Sequence, residues 1–190
     1  MRRFLSLALL SFAVFGCADG RAGPYQSFAA ERRDIAKAEQ LYQKAKETLD
    51  DDAVKAEEIL REALSWDLYH GGAHNNLGVL LLKKDKLYDA AEEFEWARKL
   101  LPGNPEPRVN LALVLDRAGR SAEALDAARA ALEVMPGNLS AIEMVALLQV
   151  RDGKTDATTP ALLDQISMRS DDPGWRSWAG EQRIHLESVD

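Results

Sequence analysis

The sequence predicts an all-α fold: a short solenoid of about three to four stacked helix-turn-helix units, closed by C-terminal helices. Three observations lead there. Ala and Leu dominate the 190 residues, aromatics are only 7%, and long runs of β-branched residues are missing, which is the composition of a helical chain. The chain repeats itself at a spacing of 34 residues between Gly71–Asn104 and Pro105–Asn138. Each of these two units ends on the same punctuation, Pro102-Gly103-Asn104 and Pro136-Gly137-Asn138, where proline cannot continue a helix and glycine turns the chain. With 46% hydrophobic residues, 12 Gly and 7 Pro, the chain is neither collagen-like nor disordered. Its length suits one domain or a short array of repeats rather than two independent folds.

The elements follow in chain order. Residues 1–16 pair a basic start, Arg2-Arg3, with an apolar run from Phe4 to Phe15 that only Ser6 and Ser11 interrupt. The run is too short to span a bilayer comfortably and reads as an export signal peptide. It ends in Val14-Phe15-Gly16-Cys17, which resembles the lipobox of bacterial lipoproteins: an aliphatic residue, two mostly small ones, then the cysteine that receives lipid. Phe15 departs from that pattern. The alternative is ordinary cleavage after Ala18, since Gly16-Cys17-Ala18 is a small-x-small triplet; the protein would then be secreted and soluble. The resemblance implies that Cys17 carries the acyl chains that anchor the mature protein. Ala18 in place of Asp points, through the same resemblance, to the outer membrane facing the periplasm. Residues 17–27 then form a lipidated cysteine and a tether, with two glycines and a proline and no periodicity.

The repeat array occupies 28–152, with units at about 36–70, 71–104 and 105–138 and a partial unit at 139–152. Between the two clearest units, Leu77 matches Leu111, Gly78 matches Ala112, Leu81 matches Leu115, Ala90 matches Ala124 and Ala97 matches Ala131. This pattern resembles the tetratricopeptide repeat, whose signature places a Trp, Leu-Gly, an aromatic, Ala, Phe, Ala and Pro at fixed spacing. Leu77-Gly78, Leu81, Ala90, Phe94, Ala97 and Pro102 fill it, with His74 at the Trp position; in the next unit Ala128 stands for Phe. The small residues let the two helices of a unit approach closely. The larger ones fill the space between helices, and a single unit cannot bury its apolar face without a neighbour.

Upstream, Ala56, Leu60, Ala63 and Leu64 precede Ala90, Phe94, Ala97 and Arg98 by 34, and Ala38, Leu41, Tyr42 and Ala45 form a helical stripe ahead of them. Keeping Ala45 at the small position makes the intervening turn, through Asp50-Asp51-Asp52, one residue shorter. Downstream, Ile142, Val145 and Ala146 continue the period, which then fails in a polar linker, Gly153 to Thr159. Residues 153–190 therefore read as linker and capping helices. Thr159-Pro160 and Asp172-Pro173 are start signals for helices over about 160–169 and from 173 on, which would cover the last repeat.

Net charge is −7, and −9 without residues 1–16, so binding to nucleic-acid phosphates is disfavoured. Catalytic and metal chemistry find little support, so neither enzyme nor cofactor is expected. His70 and His74 stand four apart but enclose Gly71-Gly72 and lack the H-E-x-x-H pattern; Gly71-Gly72 is no phosphate loop; His185 is isolated; and Cys17 is the sole cysteine.

The tetratricopeptide resemblance implies a partner protein or peptide held in a concave groove lined by first helices. It places three ladders there at 34-residue spacing: Asn75, Val109 and Glu143; Val79, Leu113 and Leu147; Leu82, Asp116 and Val150. Asn76 and Asn110 recur at a position that often bonds partner backbone. The basic clamp for a terminal carboxylate is replaced at one position by Glu39, Gly72 and Glu106. Two expectations remain open: a membrane-anchored adaptor of pilus, secretion or outer-membrane assembly, and an envelope accessory protein whose groove its own tail fills.

Overall fold

The structure, a computed structural model, describes residues 33–189; the export segment, Cys17 and the tether lie outside the described residues. Nine helices and no strands are found among those residues: α1 (Ile35–Thr48), α2 (Ala53–Trp66), α3 (Gly71–Lys83), α4 (Leu87–Leu100), α5 (Glu106–Arg117), α6 (Ser121–Val134), α7 (Leu139–Arg151), α8 (Thr159–Arg169) and α9 (Pro173–Val189). No helix there is long and apolar enough to cross a membrane.

Side chains start several helices by accepting otherwise unpaired backbone N–H groups. Asp34 accepts from Lys37 N, Asp52 from Val54 N and Lys55 N, and Asn138 from Ala141 N. First helices end by a shared device. Asp85, Gly119 and Gly153, each 34 residues after the last, take left-handed backbone angles of φ 57°, 73° and 62°. Glycine adopts this region freely and aspartate better than most side chains, so three units turn alike with two residue types.

The helices pack in series. α1 pairs with α2, α3 with α4 and α5 with α6, and each second helix packs on the next first helix. Small residues mark the close approaches: Ala45, Ala56, Ala90, Ala112, Ala124 and Ala146 have no exposed surface. At Gly78 an added Cβ would lie 2.7 Å from the Phe94 ring, so the glycine is what lets the ring lie flat on α3. Phe94 is fully buried, and so are Leu60, Leu77, Leu81 and Ile142 to within 1%. Each large apolar side chain so buried contributes roughly 2 kcal/mol.

α8 packs on α7 and α9 on α8. The linker before α8 is fastened to α7 by Gln149, fully buried, whose amide donates to Asp156 at 2.7 Å and accepts from the Thr159 hydroxyl at 3.1 Å. The tail thus lengthens the stack at its α7 end and covers that end with Leu162, Leu163, Ile166 and Ala179, all buried.

Candidate functional site

The first helices α1, α3, α5 and α7 bring the 34-residue ladders side by side. Val79, Leu113 and Leu147 are half-buried, two residues and hence about 200° around their helices from the buried Leu77, Leu111 and Val145. Asn76, Val109 and Asn110 share this half-buried state. α9 packs on α8 and does not run along α3 or α5, so among the described residues the tail leaves this wall uncovered.

Two groove expectations need correction. Asn75 is 8% exposed and Leu82 is 7% exposed. Asn75 is drawn inward because its Oδ1 accepts from Asn110 Nδ2 at 3.1 Å, an amide contact that joins α3 to α5. Leu82 belongs to the continuous hydrophobic core. Neither offers a partner much surface.

The outer rungs of the ladders are tied within the protein. Asp116 is held by Arg151 at 2.7 Å, and Arg151 also reaches Asp152 at 3.0 Å. Hydrogen bonding to Asp116, then to Asp152, holds that guanidinium above its usual range. Glu143 accepts from the Ser170 hydroxyl at 3.0 Å, which ties α7 to the α8–α9 turn.

Toward α1 the wall becomes acidic. Tyr42 lies across the start of α3, where a Cβ on Gly72 would meet the ring at 2.8 Å. Burial pushes the Tyr42 phenol above its ordinary range, and the charges of Glu39 and Glu106 push it further, against a hydrogen bond with Asn76. Tyr42 and Glu106 thus meet Asn76 in one place. Their order in sequence concealed this, because α1, α3 and α5 each supply one of the three. Glu39 is held below the usual carboxylate range by hydrogen bonds from Gln43 and then His70.

The two histidines of the four-residue spacing serve different partners. His70 caps α3 by accepting from Ala73 N at 3.0 Å, and its Nε2 lies 2.9 Å from Glu39. His74 is fully buried, with Nδ1 2.6 Å from Glu93, Nε2 2.8 Å from the Leu68 carbonyl and its ring stacked on Trp96 at 5.5 Å. Among the described residues no group of three or more His, Cys, Asp or Glu side chains converges on one point.

No protein-family model and no curated protein sequence matches the chain. Solved structures do. The first TPR domain of Spaghetti, bound to an HSP90 peptide, superposes with a TM-score of 0.61 at 16% identity, over 65% of this chain and 98% of that one. MamA from Desulfovibrio magneticus RS-1 gives 0.58 at 19% identity, over 73% of this chain and 75% of that one. A tetratricopeptide repeat protein from Parabacteroides merdae gives 0.63 at 21% identity, over 76% of this chain and 57% of that one. At such identities the likeness is one of fold, and the fold is the tetratricopeptide repeat solenoid.

Proposed function

We propose that this solenoid is a protein-binding adaptor tethered to the bacterial envelope through lipid on Cys17, with a partner segment held along the α3–α5–α7 wall. The observation that carries the reading is the half-buried apolar ladder Val79, Leu113 and Leu147, flanked by the amides of Asn76 and Asn110. An apolar stripe of this kind gains from being covered, and the flanking amides can pair with the backbone of whatever covers it. The Spaghetti domain holds an HSP90 peptide on the same fold. Here Glu39 and Glu106 make the α1 end acidic, which disfavours a terminal carboxylate and favours a segment with amide or basic groups. An outer-membrane tether would place such an adaptor among the machinery that builds pili, secretion channels or the outer membrane itself.

Two substitutions on one helix test the groove. Leu111→Asp buries an unpaired charge in the core and should cost about 3 kcal/mol or more, whereas Leu113→Asp should cost distinctly less while weakening partner capture. Thermal unfolding and pull-down from solubilised membranes read the two effects separately. Equal destabilisation by both variants would make the ladder core and leave the groove without its main residues. Cys17→Ser tests the tether: the protein should leave the membrane fraction, and a cleaved variant that stays membrane-bound excludes the lipid anchor.

A further inference from the structure

We infer that the cleft between α4, α5 and α6 receives a tryptophan side chain from a partner protein, at a second site separate from the first-helix wall. The cleft has a volume of about 280 Å³, with Leu111 and Leu115 of α5 as its apolar lining and Ala127 and Ala130 of α6 and Arg108 of α5 around them. Leu111 and Leu115 each stand two residues from Leu113, so the cleft opens about 200° around α5 from the proposed groove.

The chain itself shows what fits such a space. Thirty-four residues earlier, Leu77 and Leu81 stand where Leu111 and Leu115 stand, and His74, Glu93 and Trp96 take the places of Arg108, Ala127 and Ala130. There the indole of Trp96 stacks on the His74 ring at 5.5 Å and Glu93 lies against the same imidazole at 2.6 Å. In the α5–α6 unit the same apolar lining is kept, the indole and the carboxylate are both truncated to methyl groups, and the space stays open. Arg108 replaces one planar cation-capable ring by a guanidinium, which stacks on aromatic faces as readily. Its Nη1 donates to the Asn104 carbonyl at 3.1 Å, which holds the group beside the cleft. At the rim, Asp126 supplies an acceptor for the one donor an indole carries, its N–H. Apolar lining, a stacking cation and a carboxylate rim together match indole rather than an aliphatic group.

The test uses N-acetyl-tryptophanamide as the probe, titrated onto the full chain and followed by amide NMR shifts. Saturable binding of roughly millimolar affinity is expected, with shifts centred on Leu111, Leu115, Ala127 and Ala130, and N-acetyl-leucinamide should bind at least about tenfold more weakly. Ala130→Trp restores the side chain that the preceding unit carries and should abolish binding without loss of thermal stability. Ala127→Leu fills the cleft from the other side and serves should Ala130→Trp fail to fold. Absence of saturable binding, equal binding of the leucine probe, shifts centred on Asn76 and Leu113, or undiminished binding in a folded filled variant would each overturn the inference. The groove proposal does not depend on any of these outcomes.

Discussion

The units α3–α4 and α5–α6 run in register 34 residues apart, yet they divide the space between their helices differently. In the first, Phe94 lies on Gly78 and the triad His74, Glu93 and Trp96 closes the gap toward α2. In the second, Ala128 faces Ala112, and Arg108, Ala127 and Ala130 leave a cleft. Large goes with none and small goes with small. What the repeat conserves is therefore the helix spacing, while the filling is shared out between two positions and can be left incomplete in one unit because its neighbours supply the remaining burial.

The sharpest way to break the comparison is to remove the filling from the first unit. Phe94→Ala empties a fully buried ring site and should cost about 3–5 kcal/mol, read from urea unfolding. The reciprocal Ala128→Phe should not restore the first unit's packing in the second, because Ala112 carries the Cβ that Gly78 lacks; overpacking by about 1–3 kcal/mol is expected. A stabilised Ala128→Phe would show that the second unit has room where none is inferred.

Next in size is the polar filling. His74→Ala opens a cavity against Trp96 and takes from Glu93, 5% exposed, the imidazole 2.6 Å away; a loss of about 3 kcal/mol is expected. Arg108→Ala, at the matching position, removes a half-buried side chain bonded to one carbonyl and should cost under about 1 kcal/mol. Comparable losses in calorimetric melts of the two variants would mean that both clefts are structural, and the contrast between the units would dissolve.

Much of this was legible because repetition turns local signals into coincidences. The Pro-Gly-Asn turns, the small positions at Gly78, Ala90, Ala112 and Ala124, and the start signals at Thr159-Pro160 and Asp172-Pro173 all act within one helix or one turn, where sequence spacing and spatial proximity agree. The burial of Asn75 was not legible, since its cause is an amide 35 residues away on α5. Glu93 read as part of a solvated face for the same reason: a buried carboxylate is betrayed only by its partner, and His74 lies on the preceding helix. Gln149 likewise gains its meaning from Asp156 and Thr159, in a linker where the period has already failed. The ladder Val79, Leu113 and Leu147 lay between these cases. Its rotation away from the packing stripe follows from helix geometry, but what covers it depends on the course of α9, which no residue spacing states.

The smallest effect is also the most discriminating, because it tests the sharing of volume directly. Gly78 sits inside α3, where alanine would ordinarily stabilise the helix by about 1 kcal/mol. Its Cβ would meet three Phe94 ring atoms at 2.7, 2.9 and 3.0 Å, and the ring, fully buried, has nowhere to retreat. Gly78→Ala should therefore destabilise the protein by about 1–2 kcal/mol despite the better helix propensity. In a Phe94→Leu background the flexible, smaller side chain can give way, and the same Gly78→Ala change should become neutral or stabilising. The double-mutant cycle should then show a coupling of about 1–2 kcal/mol, well above the error of additive distant sites. Ala112→Gly is the control: Ala112 faces Ala128, so it should cost only the propensity difference of about 1 kcal/mol, and the same in an Ala128→Gly background. Urea midpoints at unchanged m-value measure all of these. An additive cycle at Gly78 and Phe94 would mean that the glycine is there for the backbone alone, and that the two units differ by chance of composition rather than by a shared and divided volume.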